Sequence, residues 1–312
     1  MKGTSKNVGE AVSTRQKQTK KRSLRAVNEH FESVFNAVMT TQVVFRGALK
    51  APGHYQLFGK LGPLLVVLTL LLMWEMTARW MQLDGFPTAG EALRQLPVIL
   101  ADGQALSGIG DSLRRMACGI ALALAFAVPV GLCMGRSETL ARMLNPLLSV
   151  IYPIPKAALM PMVMLWFGIG DLSKILVIFL GVSLPLLFHS YHGARSMDEK
   201  LLWSAAAMGM GAPTRLFKVV LPAALPDVLL GCRVGLSMAL IVMISSEMIA
   251  RQSGAGDLLF NAMDMALYPD VYAMILILAT LGFLLDWLFE RLRRRLTHWA
   301  ETRQDSHSGA AS

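Results

Sequence analysis

The stretch SAAAMGMGAPTRLFKVVLPAALP, from Ser204 to Pro226, is the part of the sequence that decides the fold. It belongs to a longer segment, His192 to Val228, that separates two apolar runs. Loops between packed helices usually contain about 2–8 residues. A connection of this length, rich in Ala and Leu, is therefore expected to be an ordered element that projects from the apolar runs.

The local signals in this segment predict two helices around a tight turn. Met197 to Met208 is predicted to be helical. Gly209 and Gly211 allow a sharp turn, because glycine reaches positive φ at little cost. A proline at the start of a helix is favourable, so Pro213 is expected to open a second helix, and Pro222 and Pro226 to bend the chain back toward the next apolar run.

This predicted helix pair has apolar residues that the pair itself cannot bury. Leu216, Phe217 and Leu221 are expected on its surface. Contiguous exposed apolar residues commonly mark an interaction site. The sequence thus predicts a partner that covers the helix pair.

The rest of the chain has the composition of a membrane protein. Of its 312 residues 54% are hydrophobic and 16% charged, with a mean hydropathy of +0.48, whereas soluble domains contain about 45–50% apolar and 25% charged residues. The net charge of +9 could suggest nucleic-acid binding. That function is excluded because the basic residues lie at the ends and in the loops between apolar runs.

Six segments are long and apolar enough, or nearly so, to cross a bilayer, for which about 20 residues are needed. They are Leu61–Trp80, Met116–Met134, Leu147–Phe167, Ile175–Tyr191, Leu229–Ile249 and Val271–Phe289. Pro153, Pro155 and Pro161 break the third one, so a bent entry is expected there. The outer loop should contain a short helix over Ala89–Leu100. The predicted fold is an all-α polytopic membrane protein with about six spans.

The distribution of Lys and Arg gives the expected orientation. With six spans and the N-terminus inside, 24 of the 30 basic residues fall on the inner side, which the positive-inside rule favours. Both termini are therefore expected in the cytoplasm. We predict four regions: a basic, largely disordered tail (1–55), a first span with its outer loop (56–111), a core domain (112–298) and a polar tail (299–312).

The segment quoted first resembles the signature loop of permease subunits of binding-protein-dependent ABC importers. Gly209 stands thirteen residues before Pro222, as in that signature. Val219 stands at the aliphatic position of the signature and Leu221 at its Leu position. Ser204 and Ala205 stand at its two Ala positions, and Trp203 stands at its Glu position. The Glu place thus lacks its acid. A register with Gly211 in the Gly place is two residues short of Pro222.

Two longer stretches resemble the sulfonate, taurine and nitrate branch of that family. They are YPIPKAALMPMVMLWFGIGDLSKI, from Tyr152 to Ile175, and LPAALPDVLLGCRVGLSMALIVMISSEMIA, from Leu221 to Ala250. The resemblance runs from about Ser112 to His298. It implies a type I ABC importer permease fold and a homodimer that imports a small anion such as a sulfonate, taurine or nitrate.

The resemblance also implies partners. A separate ATPase subunit would bind ATP and Mg at the cytoplasmic face, and an extracytoplasmic solute-binding protein would deliver the substrate. This chain has no GxxxxGK[ST] phosphate-binding loop, so it is expected to be non-catalytic and without a cofactor of its own. The residues expected to couple it to the ATPase are Trp203, Ser204, Ala205, Gly209, Gly211, Phe217, Leu221 and Pro222.

Acidic residues inside apolar spans are costly and often functional. Glu75 and Glu247 each have an arginine four residues later, Arg79 and Arg251, which places the two charges on one helix face. We predict a paired charge at the membrane interface in both cases. Beside Glu247, two hydroxyls could contact an anionic substrate, so the candidate pathway residues are Ser245, Ser246 and Glu247.

Arg114 and Arg115 lie at the predicted outer mouth of the second span. They are interpreted as interfacial anchors, with attraction of an anion or of an acidic binding protein as the alternative. The motifs Gly131-xxx-Gly135 and Gly231-xxx-Gly235 predict close helix packing, within the subunit or across a dimer. His189 and His192 lack a third ligand nearby, so no metal site is expected.

Two other function classes remain alternatives. A self-sufficient secondary carrier driven by an ion gradient normally shows inverted repeats with matched broken helices, and no partner for the broken third segment is evident. An intramembrane enzyme needs a nucleophile with a base or metal ligands, for which Glu247 with its neighbouring serines is the only candidate group.

Overall fold

The computed structural model describes the backbone of residues 56–298 and the side chains of residues 65–298. The two predicted tails, 1–55 and 299–312, lie outside the described residues. The chain divides into two compact units, Met1–Met73 and Trp74–Ser312. Of the first unit, only the beginning of one helix is described, where the Thr69 hydroxyl donates to the Leu65 carbonyl at 2.8 Å.

The described part of the chain consists of helices and connecting turns, with no strand in residues 56–298. The helices are α1 (Gln56–Met81), α2 (Ala89–Ala101), α3 (Gly103–Arg136), α4 (Glu138–Ile151), α5 (Met160–Phe167), α6 (Asp171–Arg195), α7 (Glu199–Ala207), α8 (Ala212–Ala250), α9 (Ala255–Asp264) and α10 (Tyr268–Leu296). The predicted all-helical fold is confirmed.

Four of these helices are long and apolar enough to cross a membrane: α3, α6, α8 and α10. The bent pair formed by α4 and Lys156–Phe167 would make a fifth span. The first predicted segment, Leu61–Trp80, lies within α1. Each of the six apolar segments is thus helical, apart from the break in the third, and the membrane-spanning architecture agrees with the prediction.

Helix α6 lies at the centre of the second unit and has most of its residues buried. Small residues on its two neighbours allow the backbones to approach closely. A Cβ on Gly131 of α3 would lie 2.6 Å from the Leu187 carbonyl oxygen, and one on Gly231 of α8 would lie 2.7 Å from the Cβ of His189. Both predicted glycine motifs therefore pack against α6 within one subunit.

The third predicted span is bent by 82° between α4 and the following helical segment. Pro153 and Pro155 have no backbone N–H, so the carbonyls at the end of α4 lose their usual donors. The Lys156 ammonium donates to three of these carbonyls, those of Ile151 (2.7 Å), Tyr152 (3.0 Å) and Ile154 (2.6 Å). The Lys156 side chain thus supplies hydrogen-bond donors to the carbonyls at the bend that the prolines create.

Helix α2 confirms the short helix predicted in the loop after α1. It begins with a capping box: the Glu91 N–H donates to the Thr88 hydroxyl at 3.2 Å, and the Thr88 N–H donates to the Glu91 carboxylate at 2.9 Å. Glu75 of α1 accepts from the Gly90 N–H at 3.1 Å. The helix start is therefore anchored to the second half of α1.

Candidate functional site

Helix α7 ends in a tight turn at the position predicted from the glycines. Gly209 has φ +77°, the Gly209 N–H donates to Ala206 at 2.9 Å, and the Met210 N–H donates to Ala205 at 3.1 Å. These two hydrogen bonds form a Schellman motif, which requires a left-handed residue at the glycine. Gly211 has an ordinary φ of −68°, so the turn depends on Gly209 alone.

The second half of the predicted helix pair differs from the prediction. The helix that begins at Ala212 does not stop near Pro222 but continues as α8 to Ala250, a length of 39 residues. Pro222 lies in the first turn after a π-helical segment, Leu216–Val220, and such a segment changes the hydrogen-bond register. The prediction that Pro222 and Pro226 bend the chain back is therefore wrong, because the π segment accommodates Pro222 without breaking the helix.

We name residues 197–226, for which coupling to an ATPase is predicted, the coupling segment. Its apolar surface is exposed: Trp203 is 67% and Phe217 57% accessible, and Leu201 and Met208 are also exposed. Ser204, Gly209, Gly211 and Pro222 are exposed as well. Ala205 is buried, and Leu221 is half-buried. Of the predicted coupling residues, Ala205 is thus packed inside, and Trp203 and Phe217 face outward.

A second site lies at the other end of α8. The Arg115 guanidinium of α3 donates to the Glu247 carboxylate of α8 at 2.8 Å, and the two side chains are 2% and 0% exposed. Arg115 also donates to the Asp171 carboxylate of α6 at 2.7 Å. It donates through Nη1 to the Ser253 carbonyl at 2.9 Å and through Nη2 to the Ser253 hydroxyl at 2.5 Å. One buried arginine therefore joins three helices and the loop after α8.

Glu247 is enclosed on its remaining sides. Its carboxylate accepts from the Ser112 hydroxyl at 2.7 Å and from the Gly256 N–H at 3.0 Å. Gly254, with φ +118°, lies so close that a Cβ there would be 2.2 Å from the Glu247 carboxyl carbon. The loop and the start of α9 are thus built around this carboxylate.

A lysine completes the group, which we name the buried charge cluster (Arg115, Asp171, Lys174, Glu247 and Ser253). Lys174 of α6 is fully buried and donates to the Ser253 carbonyl at 3.0 Å. Arg114 lies outside the group, exposed, and donates to Asp171 at 2.5 Å. The cluster contains balanced opposite charges and can hold helix ends together, which is a mechanical role.

The sequence predicts that Glu75 and Glu247 each pair with the arginine four residues later. The first of these pairs is confirmed, and the second is wrong. Arg79 contacts Glu75 at 2.7 Å. Arg251 does not pair with Glu247 but with Asp264, and it stacks on the Phe260 ring at 4.3 Å. The reason is that Arg251 adopts φ +50° and ends α8, so the helical spacing no longer applies to its side chain.

The three candidate pathway residues lie in different surroundings. Ser245 is half-buried, and its hydroxyl donates to the Ile241 carbonyl at 2.8 Å. Ser246 is fully buried and donates to the Met243 carbonyl at 2.8 Å. Glu247 belongs to the buried charge cluster. Among the described residues no group of three or more His, Cys, Asp or Glu residues could hold a metal ion.

The sequence interpretation missed the contact between Arg115 and Glu247. The prediction that Arg115 is an interfacial anchor is wrong, because the structure buries its side chain. Two signals in the sequence pointed to such a contact: an acid inside one apolar span and two arginines at the same predicted depth of another. Intramembrane charges usually face a partner inside the helix bundle.

Comparison with known proteins assigns the family. A profile of the family described as binding-protein-dependent transport system inner membrane component matches residues 119–298. That range contains the coupling segment and all of the buried charge cluster except Arg115.

Two curated relatives are similar over most of their length. The taurine transport system permease protein TauC of Escherichia coli (strain K12) is 34% identical over 191 residues, which cover 61% of this chain and 70% of TauC. The putative aliphatic sulfonates transport permease protein SsuC of Bacillus subtilis (strain 168) is 30% identical over 238 residues, which cover 74% of this chain and 86% of SsuC.

A solved structure has the same fold. The MetNI methionine ABC transporter in an inward-facing conformation aligns with a TM-score of 0.53 and 17% identity, covering 62% of this chain and 95% of the matched chain. At this identity the likeness concerns the fold.

Proposed function

Because the chain belongs to the family of binding-protein-dependent transport system inner membrane components, we propose that it forms the translocation pathway for a small organic anion of the taurine or aliphatic sulfonate class. The proposal rests on the relatives, since TauC and SsuC carry those substrates in their names. The chain is a multi-pass inner-membrane permease and a transport subunit. The secondary carrier and the intramembrane enzyme are set aside, because the matching family consists of subunits that work with a binding protein.

The energy for transport is proposed to come from a separate ATPase subunit that binds ATP and Mg. The exposed apolar residues of the coupling segment, Trp203 and Phe217 above all, are its proposed contact. Apolar and aromatic side chains at the centre of an interface supply most of its affinity. Trp203 stands where the family signature has Glu, so this contact is proposed to be apolar where an acid is usual.

The single observation that carries the coupling proposal is the continuity of α8. A helix of 39 residues has a length of about 58 Å at 1.5 Å per residue. It begins at the coupling segment and ends three residues after Glu247. A displacement of the coupling segment would therefore reach the buried charge cluster as a movement of one stiff element.

The remaining partners follow from the family. A solute-binding protein is proposed to deliver the substrate at the outer face, and two copies of this chain are proposed to form the pathway as a homodimer. Both termini are proposed to be cytoplasmic, with the coupling segment on the same side. Ser245 is the candidate that a substrate could reach, because Ser246 and Glu247 are enclosed in this conformation.

The coupling proposal is tested by copurification. The tagged full chain, expressed in its own host and extracted in mild detergent, should copurify with an ATPase subunit. Trp203→Ala should lower its recovery at least tenfold, since truncation of a central interface aromatic often costs 2 kcal/mol or more, roughly a thirtyfold change. Trp166→Ala is the matched control, because Trp166 of α5 is equally exposed and lies outside the coupling segment.

Equal recovery of the ATPase with Trp203→Ala and with Trp166→Ala would overturn the assigned contact. Uptake by the purified chain alone, driven by an ion gradient without ATP, would instead favour the carrier.

The substrate proposal needs a separate measurement. Vesicles containing the assembled importer and its binding protein should take up radiolabelled taurine or an alkanesulfonate when ATP is present inside. Nitrate is the competing anion, and its uptake without uptake of a sulfonate would contradict the proposal.

A further inference from the structure

The last turns of α10 carry charges on two faces, and on one face the arginines are paired with carboxylates. Arg233 of α8 contacts Asp286 at 2.7 Å and Glu290 at 3.2 Å. Glu290 also accepts from Arg293 at 2.8 Å and from Arg294 at 3.0 Å. Three arginines thus share two carboxylates between α8 and α10.

The other face of α10 carries two arginines that are not paired with an acidic residue among residues 65–298. Arg291 and Arg295 are exposed, and neither forms an ion pair with any residue between 65 and 298. Arg291 lies over the Trp287 ring at 5.4 Å. Together with Leu288 and Leu292, these side chains line a groove of about 320 Å³.

The floor of this groove is apolar. Trp287, Leu288 and Leu292 are each at least half exposed. The exposed apolar surface continues one turn earlier along the same helix, at Phe283 and Leu284. An occupant with a negative head beside the arginines and a hydrocarbon tail along the helix would therefore match the whole surface.

Anionic phospholipids have this shape and charge. Arginine binds phosphate through paired N–H donors, tryptophan concentrates at the membrane–water interface, and basic residues next to a span attract anionic lipids. The surface belongs to a helix that is long and apolar enough to cross a membrane, and lipid is the medium that surrounds such a helix. A protein partner would have to displace lipid from Phe283 and Leu284 to use the same groove.

From these observations we propose that the groove lined by Trp287, Arg291 and Arg295 is a binding site for one anionic phospholipid, with the phosphate between the two guanidinium groups and an acyl chain along Phe283. The site is separate from the coupling segment and from the buried charge cluster, and it does not depend on which solute is transported.

The test is native mass spectrometry of the purified full chain in detergent with added lipid. Wild type should retain phosphatidylglycerol over phosphatidylcholine by a factor of roughly 25, since each arginine near an anionic lipid gives roughly fivefold, the ratio that corresponds to about 1 kcal/mol. The double variant Arg291→Gln/Arg295→Gln should reduce the preference to less than about threefold.

Arg294→Gln is the matched control. It removes one positive charge from the same end of α10, but Arg294 is held by Glu290, so this substitution should leave the lipid preference unchanged. Three results would overturn the proposal: equal retention of both lipids by wild type, loss of the preference in Arg294→Gln to the same extent as in the double variant, or retention of the preference by the double variant.

Discussion

Arg115 and Glu247, 132 residues apart in the sequence, form a buried ion pair with an N–O distance of 2.8 Å. Taking two charges out of water is costly, and the attraction between them compensates only when the remaining hydrogen-bonding groups are satisfied. Here they are, because Ser112, Ser253 and Gly256 supply the other contacts. The pair fixes the end of α8 against α3.

Glu247→Gln should destabilise the protein strongly, because Arg115 would remain buried without its main counter-ion. Breaking a buried pair by removing one partner typically costs about 3–5 kcal/mol. The Tm of the purified chain in detergent should fall clearly. Glu138→Gln is the control, since Glu138 and its partner Arg142 are both exposed and such a pair contributes little.

The double variant Arg115→Met/Glu247→Leu separates stability from transport. Replacing both charges with apolar side chains should recover much of the Tm lost in Glu247→Gln. If the cluster only stabilises the fold, uptake should recover to the same degree. A variant that is stable but transports poorly would instead show that the charges act during the transport cycle.

Gly209→Val should uncouple ATP hydrolysis from uptake while membrane insertion stays intact. A β-branched residue at φ +77° is strained by about 1–2 kcal/mol, so the turn after α7 would rearrange and displace Trp203. The measurements are ATPase activity and uptake by the assembled importer. Gly211→Ala, at φ −68°, should behave like wild type, and full transport by Gly209→Val would contradict the role of the turn.

Lys156→Met should destabilise the bend between α4 and α5. All three carbonyls would lose the hydrogen bond from the ammonium, although the Ile151 carbonyl keeps the Ile154 N–H at 3.2 Å, and a hydrogen bond to a charged group contributes about 1.5–3 kcal/mol. The Tm should decrease, and proteolysis near Pro155 should become faster. Arg142→Gln removes one charge from an exposed position of α4 and should change the Tm little; equal effects of the two substitutions would argue against the carbonyl contacts.

Gly131→Ala should destabilise the packing of α3 on α6. The added Cβ would lie 2.6 Å from a backbone oxygen, which cannot move aside as a flexible side chain could, so a loss of about 1–3 kcal/mol is expected. Gly110→Ala is the matched change on the same helix. Nothing lies within 4 Å of its Cβ, and the gain in helix propensity, up to about 1 kcal/mol, should raise the Tm slightly.

The helical segments could be predicted from the sequence because they depend on the length of each apolar run and on nearby glycine and proline residues. The turn at Gly209 and the capping box of α2 are determined by residues that are neighbours in the chain. The continuation of α8 past Pro222 was missed, because the π segment before it depends on hydrogen-bond register rather than on composition.

The buried charge cluster could not be derived in the same way. Its contacts join residues from three helices and a loop, and helical spacing wrongly favoured Arg251 as the partner of Glu247. The positive φ of Arg251 ends the helix, and no signal in the local sequence replaced the spacing rule. An acid inside one apolar span and arginines at a similar depth of another favour an ion pair, but which residues pair depends on how α3, α6 and α8 pack, and only the three-dimensional structure provides that.

Because α8 is continuous, an insertion or deletion within it rotates one end of the helix relative to the other. Each residue of an α-helix adds a rotation of about 100°, so one residue inserted between Pro226 and Glu247 would turn the exposed Phe217 by more than a quarter circle relative to the ion pair with Arg115. An insertion of seven residues adds almost two full turns, so Phe217 would return nearly to its original orientation. Functional relatives of this chain should therefore differ in length outside this stretch, in the tails and in the connections between helices.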